Sequence, residues 1–106
     1  MLLGAIEAGG TKFVCAVGKE DGTIVERTVI PTDLPEVTMK EVIKFFQKHK
    51  PAAIGIGTFG PADVDPVSVT FGTITSTPKQ GWRNYPLVSE LKKRFPVPIG
   101  FNTDVN

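Results

Sequence analysis

Cysteine and histidine are almost missing from this sequence: Cys15 and His49 are single occurrences in 106 residues. One cysteine excludes an internal disulfide, and one cysteine with one histidine cannot build a structural zinc site. Charge of one sign is missing too. Twelve Lys and Arg stand against eleven Asp and Glu, a net charge of +1, so no broad field points to nucleic acid or to an anionic membrane surface. No apolar run approaches the roughly 20 residues of a membrane span. The opening "MLLGAIEAGG" has no basic start and meets a charge at Glu7, unlike a signal peptide. A reducing cytoplasm is the expected compartment. The remainder, 41% apolar and 22% charged, is ordinary for one globular domain. Cys15 lies in a strand-like run and is expected to be core packing.

The order of elements follows from hydrophobic period. "LLGAI", "KFVCAVG" and "TIVERTVI" are strand-length apolar or alternating runs joined at "AGGT" and "EDGT", which predicts an antiparallel three-strand meander. Met39, Val42, Ile43 and Phe46 then fall on one helical face. Asp33 is the expected N-cap, Pro35 suits the first turn, and Lys44, Lys48 and Lys50 crowd the end where the helix dipole favours cations. His49 is read there as solvated or easing the dipole. "AAIGIGTFG" reads as a buried strand entering a Gly-rich loop, with a short hairpin expected near "VSVTFGTIT". A second helix is predicted from about Tyr85 to Phe95, with Val88, Leu91 and Phe95 inward and Lys92, Lys93 and Arg94 solvated. "VPIGFN" closes the series as a buried strand. The result is an α/β domain, β-β-β-α-β-α-β, with a mixed five-stranded sheet and helices packed on it. A helix between apolar strands implies a parallel crossover, so the first, fourth and last strands are expected to be parallel. Ligands gather beyond the carboxyl ends of such strands, where Glu7 with the glycine turn, Thr58 to Pro61, and Asn102 to Asp104 converge.

Two glycine patterns need separate treatment. "GIGTFG" matches a dinucleotide fingerprint, but "PADVDPVSVT" follows it, and that stretch cannot open the helix the fingerprint needs. "AGGTK" is no P-loop, because Thr11 precedes Lys12 and a strand follows. It reads either as a plain hairpin turn with Glu7 solvated or as an anion nest, in which bare backbone amides, the Thr11 hydroxyl and Lys12 meet a phosphate. In the second reading Glu7 holds Mg²⁺ through water. Asp104, just past a buried strand, is placed either to take a proton from a substrate hydroxyl or to cap a following helix. Trp82 either packs on a ligand or anchors its loop.

Together "IEAGGTKF", "GIGTFGPAD", "TPKQGW" and "FNTDVN" resemble the ROK sugar kinases in order and spacing, most of all the bacterial fructokinases of that group. The resemblance covers essentially the whole chain. It implies the actin-like ATPase, ribonuclease-H-like fold, with residues 1–106 as the N-terminal domain and the C-terminal domain absent. It implies ATP-dependent phosphorylation of a hexose, fructose to fructose 6-phosphate. Gly9, Gly10, Thr11 and Lys12 would form the first phosphate loop for ATP, and Glu7, where many relatives carry Asp, would serve Mg²⁺. Gly60 and Pro61 would line the sugar pocket, and the loop with Lys79 and Trp82 would close over the sugar. Thr103, where many relatives carry Asn, would contact the sugar, and Asp104 would be the catalytic base. The family's zinc site lies outside this chain, and a homodimer is implied at full length. Alone, the chain is expected to be inactive and to leave one sheet face uncovered, which favours self-association. The alternative is a non-catalytic sugar-binding or regulatory ROK domain.

Overall fold

The computed structural model describes residues 1–58, 73–74, 81–82 and 85–103. The chain opens with β1 (Leu2–Ala8), β2 (Lys12–Lys19) and β3 (Ile24–Pro31), then α1 (Pro35–His49) and β4 (Ala53–Thr58). Two short strands, β5 (Thr73–Ile74) and β6 (Tyr85–Pro86), precede α2 (Leu87–Lys92) and β7 (Ile99–Thr103). The main sheet has five strands in the order β3-β2-β1-β4-β7. The meander is antiparallel, whereas β4 runs parallel to β1 on one side and to β7 on the other. The mixed sheet expected from the sequence is therefore the sheet observed.

Period-two burial explains which face is which. Gly4, Ile6 and Ala8 of β1 point inward, with Phe13, Cys15 and Val17 of β2 and Ile54 and Ile56 of β4. Helix α1 lays Met39, Val42, Phe45 and Phe46 on this face, joined by Leu87, Val88 and Leu91 of α2 and by Phe95 beyond it. Contact is close at Gly4, where a Cβ would lie 2.9 Å from Phe46 Cε1. Leu3, Ala5, Gly55 and Gly100 on the opposite face are exposed. The β2–β3 turn is set by Gly22 at φ 95° and by the Asp21 carboxylate, which accepts from Thr23 N–H at 2.9 Å.

Local details depart from the sequence reading. The N-cap of α1 is Leu34, without a side-chain cap. Asp33 is occupied otherwise: its carboxylate accepts from Leu34 N–H at 2.8 Å, and its own N–H donates to Thr38 Oγ1 at 2.8 Å. At the far end Lys50 adopts the left-handed conformation, and its N–H closes on Phe46 O. His49 is not solvated. Its side chain is 12% exposed, packs on Phe45 at 4.9 Å between centroids, and brings Nε2 to 3.4 Å from Glu26. Helix α2 is shorter than expected because Tyr85 and Pro86 pair with Thr73 and Ile74 instead. The rest of the expected hairpin near Val67–Thr75 lies outside the described residues.

The core can be probed at two positions. Phe46 is fully buried, so Phe46→Ala should cost about 3–5 kcal/mol, read from the urea unfolding midpoint. Burial pushes the Cys15 thiol up to about 12. It is therefore neutral at pH 8, so a thiol-specific reagent should leave it unmodified in the folded chain and label it fully in denaturant.

Candidate functional site

Parallel register brings three strand ends level. Ala8 of β1 stands opposite Thr58 of β4, and Thr58 opposite Thr103 of β7. At about 4.8 Å between neighbouring strands, the rim is roughly 10 Å wide. One row back, Glu7, Gly57 and Asn102 stand level in the same way. The glycine turn leaves the rim at Ala8. Gly60 and Pro61 follow Thr58 in sequence, and Asp104 follows Thr103. Those three, with Lys79, lie outside the described residues.

The glycine turn closes β1 onto β2. Gly9 N–H donates to Lys12 O at 2.9 Å, and a Cβ on Gly9 would sit 2.6 Å from that same oxygen. Gly9 is thus required by the hairpin itself. Gly10 is different: it is exposed, and a Cβ there would meet nothing within 4 Å. Gly10 and Thr11 N–H have no acceptor among the described residues, and Thr11 and Lys12 are exposed beside them. The two readings of "AGGTK" are therefore compatible. The segment is a hairpin turn, and it presents free amides, a hydroxyl and a cation to solvent, which suits an anion.

The turn is braced from the β3–α1 connector. Thr32, 6% exposed, donates its hydroxyl to Gly9 O at 2.8 Å and its N–H to Thr11 O at 2.9 Å. The next residue, Asp33, accepts Trp82 Nε1–H on its carbonyl at 2.7 Å. Thr38 Oγ1 reaches back to Pro31 O at 3.1 Å. Neither Thr32 nor Thr38 is singled out by composition or spacing. The signal available was the β2–β3 register, which puts the residue after Pro31 opposite Thr11.

Trp82 requires a correction. Its side chain is 0% exposed, lying 5.2 Å from the Phe13 ring and 5.0 Å from Tyr85. A ring with no free face cannot stack on a sugar, so Trp82 anchors its segment. Gly81 makes this possible: it has φ 85°, and a Cβ there would be 2.7 Å from Pro35 Cδ. Burial and the charges of Glu90 and Glu36 push the Tyr85 hydroxyl up to about 12, so it stays protonated.

Glu7 is exposed near the end of β1. Among the described residues no three His, Cys, Asp or Glu cluster to hold a metal. A lone carboxylate beside an anion site fits Mg²⁺, which keeps several waters and takes one or two carboxylates plus substrate phosphates. It does not fit an all-protein cage.

A family model described as ROK matches residues 3–106. The chain belongs to the ROK family. A Bacillus subtilis protein is 57% identical over 105 residues, covering 99% of this chain and 35% of its own length. A fructokinase from Pediococcus pentosaceus is 52% identical over 106 residues, covering 100% of this chain and 37% of its own. This ROK chain thus spans about a third of the length of those relatives. Among solved structures, a ROK family glucokinase from Streptomyces griseus, in complex with glucose and AMPPNP, superposes with a TM-score of 0.77. It is 24% identical, covering 100% of this chain and 34% of its own. The fold is that of the ROK sugar kinases, the actin-like ATPase fold. Among the described residues no helix is long and apolar enough to cross a membrane.

The two glycines separate by experiment. Gly9→Ala should destabilise the chain by about 1–3 kcal/mol, since backbone must move, while Gly10→Ala should stay within about 0.5 kcal/mol of the parent. Thermal melts of the two variants check this.

Proposed function

We propose that this chain is the N-terminal domain of an ATP-dependent hexose kinase that converts fructose to fructose 6-phosphate. The observation that carries the reading is the level rim. A glycine turn with free amides, the strand leading to Gly60 and Pro61, and the strand leading to Asp104 end side by side. Fructose is favoured over other hexoses because the Pediococcus relative at 52% identity is a fructokinase. The chain's share of its relatives' length supports a catalytic unit that includes sequence beyond residue 106.

In this reading Gly9, Gly10, Thr11 and Lys12 receive the ATP phosphates. Phosphoryl transfer spreads negative charge over the γ-phosphoryl oxygens, so the protein's task is to position and neutralise. Amides and a lysine fixed on a turn do this without reorganising. Glu7 would hold Mg²⁺ through water, and the ion would supply further positive charge at the phosphates. Gly60, Pro61, Lys79 and Thr103 contact the sugar, while Trp82 fixes the loop that carries Lys79. The Asp104 carboxylate accepts the proton of the attacking sugar hydroxyl.

A sugar panel assayed with the kinase at its relatives' full length tests this. Fructose should give the highest kcat/KM, and Asp104→Asn should lower kcat by about 10²–10⁴-fold with the fold unchanged by circular dichroism. Wild-type turnover in Asp104→Asn sinks the assignment of the base. The 106-residue chain alone should show no saturable fructose phosphorylation, because the nucleotide is proposed to bind between two domains.

A further inference from the structure

The glycine turn poses an orientation problem. A Gly-Gly peptide has no side chain on either flank to bias its plane, so it can present a carbonyl or an N–H to solvent at little cost. Only the N–H face suits a phosphate. We infer that Thr32 is the positioning residue that settles this choice: its hydroxyl holds the Gly9 carbonyl and thereby aims the Gly10 amide at the nucleotide phosphates. The inference rests on the phosphate-binding reading of the turn given above.

The geometry is direct. All peptides in the described chain are trans. In a planar trans peptide the C=O and the following N–H point in opposite directions. Thr32 Oγ1 donates to Gly9 O at 2.8 Å, so the Gly10 N–H points away from Thr32. Among the described residues this hydroxyl is the one donor on that carbonyl. The second contact, Thr32 N–H to Thr11 O at 2.9 Å, fixes the other arm of the turn in the same way. It turns the Lys12 amide away from β3. Thr32 itself cannot drift. It is 6% exposed, and the following carbonyl, that of Asp33, is held by the Trp82 indole at 2.7 Å. Thr32 touches no ligand in this arrangement. It acts through the peptide plane of its neighbour.

The test uses the kinase at its relatives' full length and measures KM for ATP, KM for fructose, kcat and the thermal midpoint. Thr32→Val keeps the shape and the backbone N–H but removes the hydroxyl donor. It should raise KM for ATP by about tenfold, the weight of one hydrogen bond to a charged group, and leave KM for fructose within about twofold. Thr32→Ser keeps a donor and should restore the parent KM for ATP. A merely structural role would instead shift the thermal midpoint and both KM values together, and Ser would not rescue selectively. Lys12→Ala separates this inference from the reading beneath it. If Lys12→Ala raises KM for ATP and Thr32→Val does not, the positioning role is wrong and the phosphate turn stands. If neither variant changes it, the phosphate reading of the turn fails as well. Should Thr32→Val not fold, Thr32→Cys replaces it. A thiol is a weak donor, so KM for ATP should rise by a smaller factor, and an unchanged value overturns the inference.

Discussion

Everything functional in this domain depends on β4 lying parallel between β1 and β7 in one register. That register is enforced by packing rather than by the backbone ladder. Ile54 and Ile56 of β4 must share a face with Ile6 and with the aromatic face of α1. A slip of one residue would turn both isoleucines to solvent and move the strand end by about 3.3 Å. Burying each isoleucine is worth roughly 1.5–3 kcal/mol, so the slipped pairing is disfavoured by several times the thermal energy. The core thus decides where Ala8, Thr58 and Thr103 stop. Because those residues stop together, the loops that follow them leave from one rim.

The connector from Pro31 to Thr38 is the second constraint. It is short, and its two threonines are buried. Its groups satisfy one another or reach across to neighbouring segments. Asp33 N–H meets Thr38 Oγ1, Thr38 Oγ1–H meets Pro31 O, Thr32 meets the glycine turn, and Asp33 O meets Trp82. A buried donor or acceptor left without its partner costs about 1–3 kcal/mol, so these contacts are expected to form or break as a group. The arrangement explains why Asp33 does not cap α1. Its carboxylate and its amide are both committed within the connector, and the cap falls one residue later, just before a proline that needs no donor partner.

Much of this is legible in the sequence, for identifiable reasons. The strands β1 to β4 and helix α1 carry long periodic signals, and those signals suffice to order them. The β5–β6 ladder is not legible, because two residues have no period. The ends of α2 mislead because apolar Leu87, Val88, Leu91 and Phe95 continue a helical spacing past the last helical residue. Trp82 is ambiguous in principle, since an indole serves equally as a ligand platform and as an anchor. Only its buried place between Phe13 and Tyr85 and its bond to a backbone carbonyl separate the two. Thr32 is invisible to motif reading because it lies 23 positions along the chain from Gly9, the residue its hydroxyl serves.

The adjacent glycines show how one short string carries two separable demands. Gly9 answers to sterics, because its missing Cβ lets the hairpin close on Lys12 O. Gly10 answers to no contact within the described protein at all. A residue with open space around it and an unpartnered amide has no folding reason to be glycine, so the reason lies with what approaches it. Close approach alone is insufficient, however, because a bare peptide can turn its carbonyl outward and repel the same phosphate. The orientation must be imposed from outside the pair, and the hydroxyl that reaches the Gly9 carbonyl comes from a different strand connection. Affinity for an anion at this turn is therefore a tertiary property, created when β3 pairs with β2 and delivers Thr32 behind it.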